Sequence, residues 1–113
     1  MSAILGPDRA LHVPYLTDIE VASGVRKLTN RGFISLSRAA TALDDYASLP
    51  LARYEHLWLL PRVLELRGNF SAYDATYVAL AEGLGATVVT ADLRFARAAK
   101  DLLRLPILAL ALP

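Results

Sequence analysis

Hydrophobic and polar positions along the chain follow two periods, one typical of short buried strands and one typical of amphipathic helices. Short apolar runs predict strands over residues 10–13, 51–54, 87–90 and 105–110. Apolar positions at helical spacing, bounded by caps and glycines, predict helices over residues 17–31, 37–47, 60–67, 71–83 and 93–100. Strands that alternate with helices in this way indicate an α/β fold built on a short parallel sheet.

The strongest local pattern is the stretch from residue 69 to residue 92, NFSAYDATYVALAEGLGATVVTAD. Ser71 is a good helix N-cap, and Asp74 three positions later completes a capping-box pattern. Gly83 and Gly85 are predicted to end the helix and turn the chain. The β-branched run at 87–90 suits a strand covered on both faces, and Asp92 follows its carboxyl end, the edge at which ligands bind in open α/β sheets.

Two further helix starts and the beginning of the chain complete the predicted layout. Thr17 and Ser37 are the predicted N-caps of the first two helices. We expect residues 1–113 to form a single domain, in which residues 1–10 are a tail or the remnant of an upstream helix. In that interpretation Ser2 to Leu5 would be the last turn of the helix, ended by Gly6 and Pro7.

Composition limits the classes of function. The chain has 113 residues and is 55% hydrophobic, enough for one domain with its own core. It has no cysteine, which excludes disulfides and thiolate metal sites and is compatible with a reducing cytoplasm. No apolar run reaches the length of a membrane span. The net charge of +1 gives no global field for nucleic acid, so any RNA contact requires a local basic patch.

Three carboxylates are the candidates for chemistry: Glu20 near a helix start, Asp74 in a first helical turn and Asp92 at a strand end. If they converge they repel one another, and a hard divalent cation such as Mg²⁺ or Mn²⁺ would relieve that cost. A site of this kind suits in-line attack of water on a phosphodiester. Arg94 and Arg97, with Lys100, follow Asp92 where an RNA backbone would pass.

Each of these residues also has a plain structural interpretation. Asp74 can be the acid of a capping box, Glu20 a solvated side chain at the positive end of its helix, and Asp92 the cap of the next helix. The basic run can be a solvated face. Further residues are predicted to have packing or surface roles rather than site roles: His12, His56, Trp58, Tyr46, Tyr54 and Tyr77.

A known family shares these segments. Residues 16–21 (LTDIEV), 72–81 (AYDATYVALA) and 90–92 (TAD), with the intervening 49–67, resemble the PIN-domain ribonucleases of the VapC toxin type. The resemblance runs from about residue 11 to residue 110. It implies a PIN-like three-layer α/β/α fold, and among its motifs the YDA…YVALAE…TAD series is the most specific.

The resemblance also implies a function. Members are Mg²⁺-dependent endoribonucleases that act as the toxin of a toxin–antitoxin pair, and Glu20, Asp74 and Asp92 match their acidic metal positions. Thr90 matches a hydroxyl position beside the last acid, and with Arg94 and Arg97 it is the candidate for contact with RNA. The implied partners are an RNA substrate, a cognate antitoxin and a second copy in a homodimer, all in the cytoplasm, with no membrane.

One departure from the family pattern leaves an alternative open. Members begin with a central strand that ends in an aspartate, followed by a helix, and neither is apparent in this sequence. The interpretations are an upstream start, a strand supplied by a second copy or partner, or a degenerate relative. The last corresponds to the rival function, a truncated, catalytically impaired PIN module that binds antitoxin or RNA without cleavage.

Overall fold

The computed structural model describes residues 2–110, in which short strands alternate with helices as the pattern predicts. The strands are β1 (Ser2–Leu5), β2 (Leu11–Pro14), β3 (Leu51–Tyr54), β4 (Thr87–Thr90) and β5 (Ile107–Ala109). The helices are α1 (Leu16–Asn30), α2 (Leu36–Ala47), α3 (Leu60–Glu65), α4 (Ala72–Leu84) and α5 (Leu93–Leu102). Single 3-10 turns, Leu57–Leu59 and Leu66–Gly68, flank α3.

The strands form one five-stranded sheet in the order β3-β2-β1-β4-β5. β2 and β3 pair in parallel, as do β4 and β5, whereas β1 pairs antiparallel with both β2 and β4. The carboxyl ends of β2, β3, β4 and β5 therefore share one edge of the sheet, and the amino end of β1 lies at that same edge. The α/β PIN-like prediction is confirmed, with one antiparallel strand in place of a purely parallel sheet.

The prediction of a tail or helical turn for Ser2 to Leu5 is wrong. This segment is the central strand, with Ala3 8% and Ile4 0% exposed. Its backbone pairs on both sides, Ile4 opposite His12 in β2 and opposite Val88 in β4. A buried slot between two strands must satisfy the backbone groups on both of its sides, and an extended segment does so where a single helical turn cannot. The local signal was only four residues long.

The expectation that the sheet lacks its central strand is also wrong, because β1 is that strand. The position between β2 and β4 is filled by β1, which returns to β2 through the turn at residues 6–10. The amide of Gly6 donates to the carbonyl of Ala10 at 3.0 Å, and Arg9 takes a left-handed φ of 63° there. An antiparallel strand joined by a short turn fills this slot without the long crossover that a parallel strand needs.

Two of the predicted helix caps differ from the observed ones. α1 begins at Leu16 after Tyr15, and Thr17 lies inside its first turn with a buried hydroxyl, so Thr17 is not the cap. α2 begins after Ser35, whose Oγ accepts a hydrogen bond from the amide of Arg38, so Ser37 is not the cap either. The error at Ser37 is a shift of two residues between serines of equal capping ability, whereas α1 starts after Tyr15 with no side-chain cap at all.

The caps of α4 are as predicted, except at Gly83. Ser71 Oγ accepts from the amide of Asp74 at 3.1 Å, and Gly85 ends the helix in a left-handed conformation with φ 60°. Gly83, predicted to break the helix, lies within it. A methyl group there would lie 2.7 Å from the ring of Trp58, so this glycine serves the close packing of the indole on α4.

The core forms around α4, which is buried over most of its length from Ala75 to Ala81. Its side chains pack with Ile4 of β1 and Val88 of β4 in one cluster. Val88 and Thr90 are buried, and Thr87 and Val89 are half-buried, so β4 is covered fully on one face and partly on the other. Among residues 2–110, the helices are too short or too polar to cross a membrane.

Candidate functional site

The predicted acids meet at a cavity of about 330 Å³ at the edge of the sheet where β4 ends. The cavity lies between α1 and the first half of α4, next to the first residue of β1 and the second residue after β4. Its lining consists of Ser2, Thr17, Glu20, Val21, Gly24, Asp74, Tyr77 and Asp92. Three acids separated by up to 72 positions in the chain therefore line one cavity.

One face of α1 supplies half of this lining. The spacing along this face is three, one and three residues, which places all four residues on the same side of the helix: Thr17, Glu20, Val21 and Gly24. Glu20 Oε1 accepts a hydrogen bond from the hydroxyl of Tyr77 on α4. Glu20 is therefore not simply a solvated glutamate near the positive end of its helix.

Asp74 enters the cavity from the first turn of α4. Burial raises its pKa, and the negative charges of Asp92 and then Glu20 raise it further. The two other acids thus lie close enough to disfavour the ionised form of Asp74. A cation in the cavity would reverse this balance, because it favours all three carboxylates in their charged form.

Asp92 has two roles at once. Its Oδ1 accepts from the amides of Arg94 and Phe95, both at 3.1 Å, so it is the N-cap of α5 and the capping interpretation is confirmed. Within residues 2–110 its second oxygen, Oδ2, has no protein hydrogen-bond partner, and the residue lines the cavity. Capping fixes the carboxylate in position and leaves one oxygen for a ligand.

Thr90 does not line the cavity but supports the turn that carries Asp92. It is fully buried, and its Oγ1 accepts from the amide of Asp92 at 3.1 Å. The same atom lies 2.9 Å from Oγ of Ser2. A side chain buried in this way cannot touch RNA, so the predicted contact of Thr90 with substrate is replaced by a role in holding the turn that carries Asp92.

The predicted basic residues lie outside the cavity. Arg94 and Arg97 are exposed on α5, directly after the Asp92 cap. They do not belong to the cavity lining, and their contact with RNA stays a prediction.

Sequence reasoning missed the hydroxyl groups that surround the acids. Tyr77, predicted only to pack, has a buried ring, but its hydroxyl contacts Thr17 at 2.7 Å as well as Glu20. Burial, followed by the bond to Glu20, raises the pKa of Tyr77, so the phenol remains protonated. A usable signal was present, because Tyr77 is three positions after Asp74 and Thr17 three before Glu20, on the same helix faces.

The donors suit a hard divalent cation, since all three are carboxylates. In the described part of the chain, no three His, Asp or Glu side chains are close enough to form a complete metal site by themselves. Mg²⁺ does not require one, because it is usually held by one or two carboxylates together with waters and substrate phosphate. Glu20, Asp74 and Asp92 therefore fit an ion that shares its coordination with water and RNA.

The two histidines lie outside the cavity and hydrogen-bond to other parts of the chain. His12 Nδ1 lies 2.7 Å from the hydroxyl of Tyr54, and its Nε2 lies 3.3 Å from Asp8. His56 Nε2 accepts from the amide of Leu16 at 3.0 Å, where it joins the start of α1 to the segment after β3. Neither imidazole lines the acid cavity.

Comparison with known families matches residues 2–101 to the PIN domain. This match covers most of the chain, including α1, α4 and the segment that follows β4. It therefore includes every element that contributes to the cavity.

Comparison with curated proteins finds VapC ribonucleases. The chain is 49% identical over 84 residues to Ribonuclease VapC9 of Mycobacterium tuberculosis and to VapC ribonuclease Mb0985 of Mycobacterium bovis, covering 74% of this chain and 66% of each relative. It is 34% identical over 87 residues to Ribonuclease VapC12 of Mycobacterium tuberculosis, covering 77% of this chain and 67% of that relative. The alignments thus span about two thirds of the length of the curated relatives.

Proposed function

We propose that this chain, which belongs to the PIN-domain family and is of the VapC type, is a Mg²⁺-dependent endoribonuclease that acts as the toxin of a type II toxin–antitoxin pair. One observation carries the proposal. Glu20, Asp74 and Asp92 come from three separate elements and line one cavity, and the charges of the other two acids raise the pKa of Asp74. Acids gathered against their own repulsion are typical of a site for a cation.

In this proposal the three carboxylates would hold the ion, with Mn²⁺ as a workable substitute. A bound Mg²⁺ supplies a water of lowered pKa and neutralises the charge that develops on the phosphate. The chain contributes the placement of the carboxylates. α5 amides fix Asp92, the hydroxyl of Tyr77 holds Glu20, and the Ser71 cap orients the turn that carries Asp74.

The substrate would approach over α5. Arg94 and Arg97 are exposed just beyond Asp92, and they are suited to bind the phosphates that flank the scissile bond. With a net charge of +1 the molecule has no general affinity for polyanions, so these contacts determine where the backbone lies. The proposal includes a cytoplasmic site of action, where RNA is available.

The proposed protein partners are an antitoxin and a second copy of the chain. A second cavity of about 260 Å³, lined by Leu16, Ile19, Glu20, Ser23 and Tyr73, shares Glu20 with the acid cavity. Ile19 is 70% and Tyr73 61% exposed, a degree of apolar exposure typical of a surface that another chain covers. An antitoxin segment in this groove would lie directly beside the acids and block them.

The test is cleavage of single-stranded RNA by the purified chain with Mg²⁺, with EDTA, and with Asp74→Asn. We expect EDTA to abolish cleavage and Asp74→Asn to reduce its rate by about 100-fold or more, because loss of even an outer-shell group costs 10–100-fold. Asp101→Asn, an exposed acid on α5, is the matched control and should cleave normally. Cleavage that survives both the chelator and Asp74→Asn would refute the metal role.

A second candidate function is a PIN module that binds antitoxin or RNA without cutting. It is favoured by the contribution of β1 to the cavity, which is Ser2, whereas the family pattern has an aspartate at the end of its first strand. Titration of Mn²⁺ onto the purified chain separates the two candidates. A lack of binding at millimolar Mn²⁺, together with retained binding of RNA, would favour the module over the enzyme.

A further inference from the structure

Tyr77 is a buried residue with a polar end in the acid cavity. Its ring is packed in the core at 3% exposure, whereas its hydroxyl lies between α1 and α4 among the cavity residues. The hydroxyl makes two hydrogen bonds, one with Thr17 Oγ1 at 2.7 Å and one with Glu20 Oε1. Both partners are on α1, one helical turn apart.

The direction of these hydrogen bonds follows from the number of protons. An ionised carboxylate only accepts, so the single proton of the Tyr77 hydroxyl is donated to Glu20. The oxygen of Tyr77 then accepts the proton of the fully buried Thr17 hydroxyl. The three side chains thus form a one-way series from Thr17 through Tyr77 to Glu20.

The series fixes a side chain that would otherwise rotate freely. Glu20 is exposed, and a solvated glutamate samples many rotamers. The bond from a rigid, buried phenol holds its Oε1, while Oε2 has no hydrogen bond to the described residues and remains available to a ligand. Tyr77 lies three positions after Asp74, so the helix that carries one acid also orients another.

We infer that Tyr77 is a positioning residue that sets the Glu20 carboxylate for the cation, with Thr17 orienting the phenol. This inference rests on the proposed metal site. It assigns to the YDATY segment a second task beyond supplying Asp74. Orientation of a ligand by a neighbouring hydrogen bond commonly changes metal affinity by 10–100-fold.

The test uses Tyr77→Phe, which keeps the ring and removes only the hydroxyl. Mn²⁺ is titrated onto the metal-free chain by calorimetry, and we expect the Kd of Tyr77→Phe to be weaker by about 10-fold. The matched control is Tyr46→Phe, which also removes a tyrosine bond to a carboxylate, that of Asp18, and neither of these two residues lines the cavity. Its Mn²⁺ affinity should equal that of the parent chain.

A double-mutant cycle then tests whether Tyr77 acts through Glu20. In a Glu20→Gln background the hydroxyl no longer serves a charged ligand, so Tyr77→Phe should weaken Mn²⁺ binding little further. If the two substitutions weaken Mn²⁺ affinity independently, so that their effects multiply in the double variant, the inference is overturned. It is also overturned if Tyr77→Phe lowers only the Tm and leaves the Kd for Mn²⁺ unchanged. If Tyr77→Phe does not fold, Thr17→Val, which leaves the phenol in place, should weaken Mn²⁺ binding in the same direction, and an unchanged Kd there would refute the assignment.

RNA cleavage gives a further readout. Excess Mn²⁺ should restore most of the kcat of Tyr77→Phe, because the ligands remain and only their arrangement is looser, while KM for RNA should not change. A failure of the parent chain itself to bind Mn²⁺ would reject the proposed metal site. Normal binding by the parent chain and by Tyr77→Phe would reject only the role of Tyr77, so the two failures are distinguishable.

Discussion

At the scale of single residues, bringing three carboxylates together in one cavity lowers the stability of the metal-free chain. Asp74 lies beside two other carboxylates and is partly removed from water, and both raise its pKa. Its pKa in the folded chain lies above its ordinary value, so its contribution to stability is retained at low pH and lost as pH rises through the folded-state pKa. At neutral pH the metal-free fold therefore carries a penalty at this position, as is common at functional sites.

Removing that charge should stabilise the metal-free chain. We expect Asp74→Asn to raise the free energy of unfolding by about 1 kcal/mol at neutral pH in EDTA, a few degrees in Tm. Thermal unfolding with and without Mn²⁺ measures this, and the ion should raise the Tm of the parent but not of the variant. Asp101→Asn should behave as the parent chain does. A lower Tm for Asp74→Asn in EDTA would show that the three acids do not repel one another.

Gly83 provides a second prediction at this scale. Gly83→Ala places a methyl 2.7 Å from the Trp58 ring and should cost about 1–3 kcal/mol through overpacking. Gly24→Ala, also inside a helix but with nothing within 4 Å of the added carbon, should stabilise by up to about 1 kcal/mol. If the contact with Trp58 determines the effect at Gly83, urea denaturation should show changes in the free energy of unfolding of opposite sign for the two variants. Equal stabilisation by both would contradict the packing role.

At the scale of elements, an ion pair joins the two helices that lie outside the α4 core to the sheet. Asp18 on α1 accepts from the hydroxyl of Tyr46 on α2 at 2.7 Å and from Arg53 Nε on β3 at 2.9 Å. The Arg53 guanidinium lies 5.6 Å from the centre of the Tyr46 ring. Burial works to raise the pKa of Asp18, but the bonds from Tyr46 and Arg53 outweigh it, and the pKa is lowered.

The pH dependence of this ion pair follows from that shift. Because the pKa of Asp18 is lowered on folding, its contribution is present above the unfolded value and is lost as pH falls through the folded value. Asp18→Asn should cost about 1 kcal/mol near pH 7, reduced from the value of a buried pair because Asp18 is partly exposed. Urea denaturation from about pH 7 to about pH 3 should show the gap between parent and variant narrowing with acid. A constant gap would mean that packing, and not charge, holds these elements together.

The sequence predicts elements well where a local signal decides them. The α4 cap at Ser71, the left-handed Gly85 and the Asp92 cap all depend on neighbours within three residues, and all were found. The exchange of Thr17 for Tyr15 at the start of α1 could not be predicted, because the Thr17 hydroxyl is fixed by Tyr77, 60 positions away. The three acids could be selected from the sequence, and helical spacing places Thr17 and Tyr77 on the same faces as two of them. The hydrogen bonds from Thr17 to Tyr77 and from Tyr77 to Glu20 depend on how α1 packs against α4, which the sequence does not report.

At the scale of the whole molecule, the sheet depends on β1, a strand whose local signal is weak. β1 has only four residues, and a Ser-Ala-Ile-Leu run between a chain start and Gly-Pro does not distinguish a helical turn from a strand. Its pairing with β4 connects segments more than 80 residues apart, which local pattern cannot report. β2 and β4 each need a strand between them to pair with, and this long-range requirement determines the conformation of residues 2–5. Tertiary context therefore overrides local propensity here.

That role makes Ile4 the most sensitive test of the fold. Ile4 is fully buried in the core cluster, and Ile4→Ala should cost about 2–5 kcal/mol, a large part of the stability of a small domain. Ile19→Ala, at a position 70% exposed, should change stability by no more than about 0.5 kcal/mol. The free energy of unfolding from urea titration decides between them. If both substitutions change the free energy of unfolding by the same small amount, β1 is not part of the core.

The pairing of residues 2–5 with residues 87–90 also has a consequence for how the protein emerges during synthesis. A nascent chain exposes β1 early, but its partner leaves the ribosome only after some eighty further residues, so closure of the sheet is a late, non-local step. Ser2 reaches Thr90, and the turn bearing Asp92 is set, in that same step. A translation product interrupted before β4 would therefore have neither a closed sheet nor an assembled trio of acids.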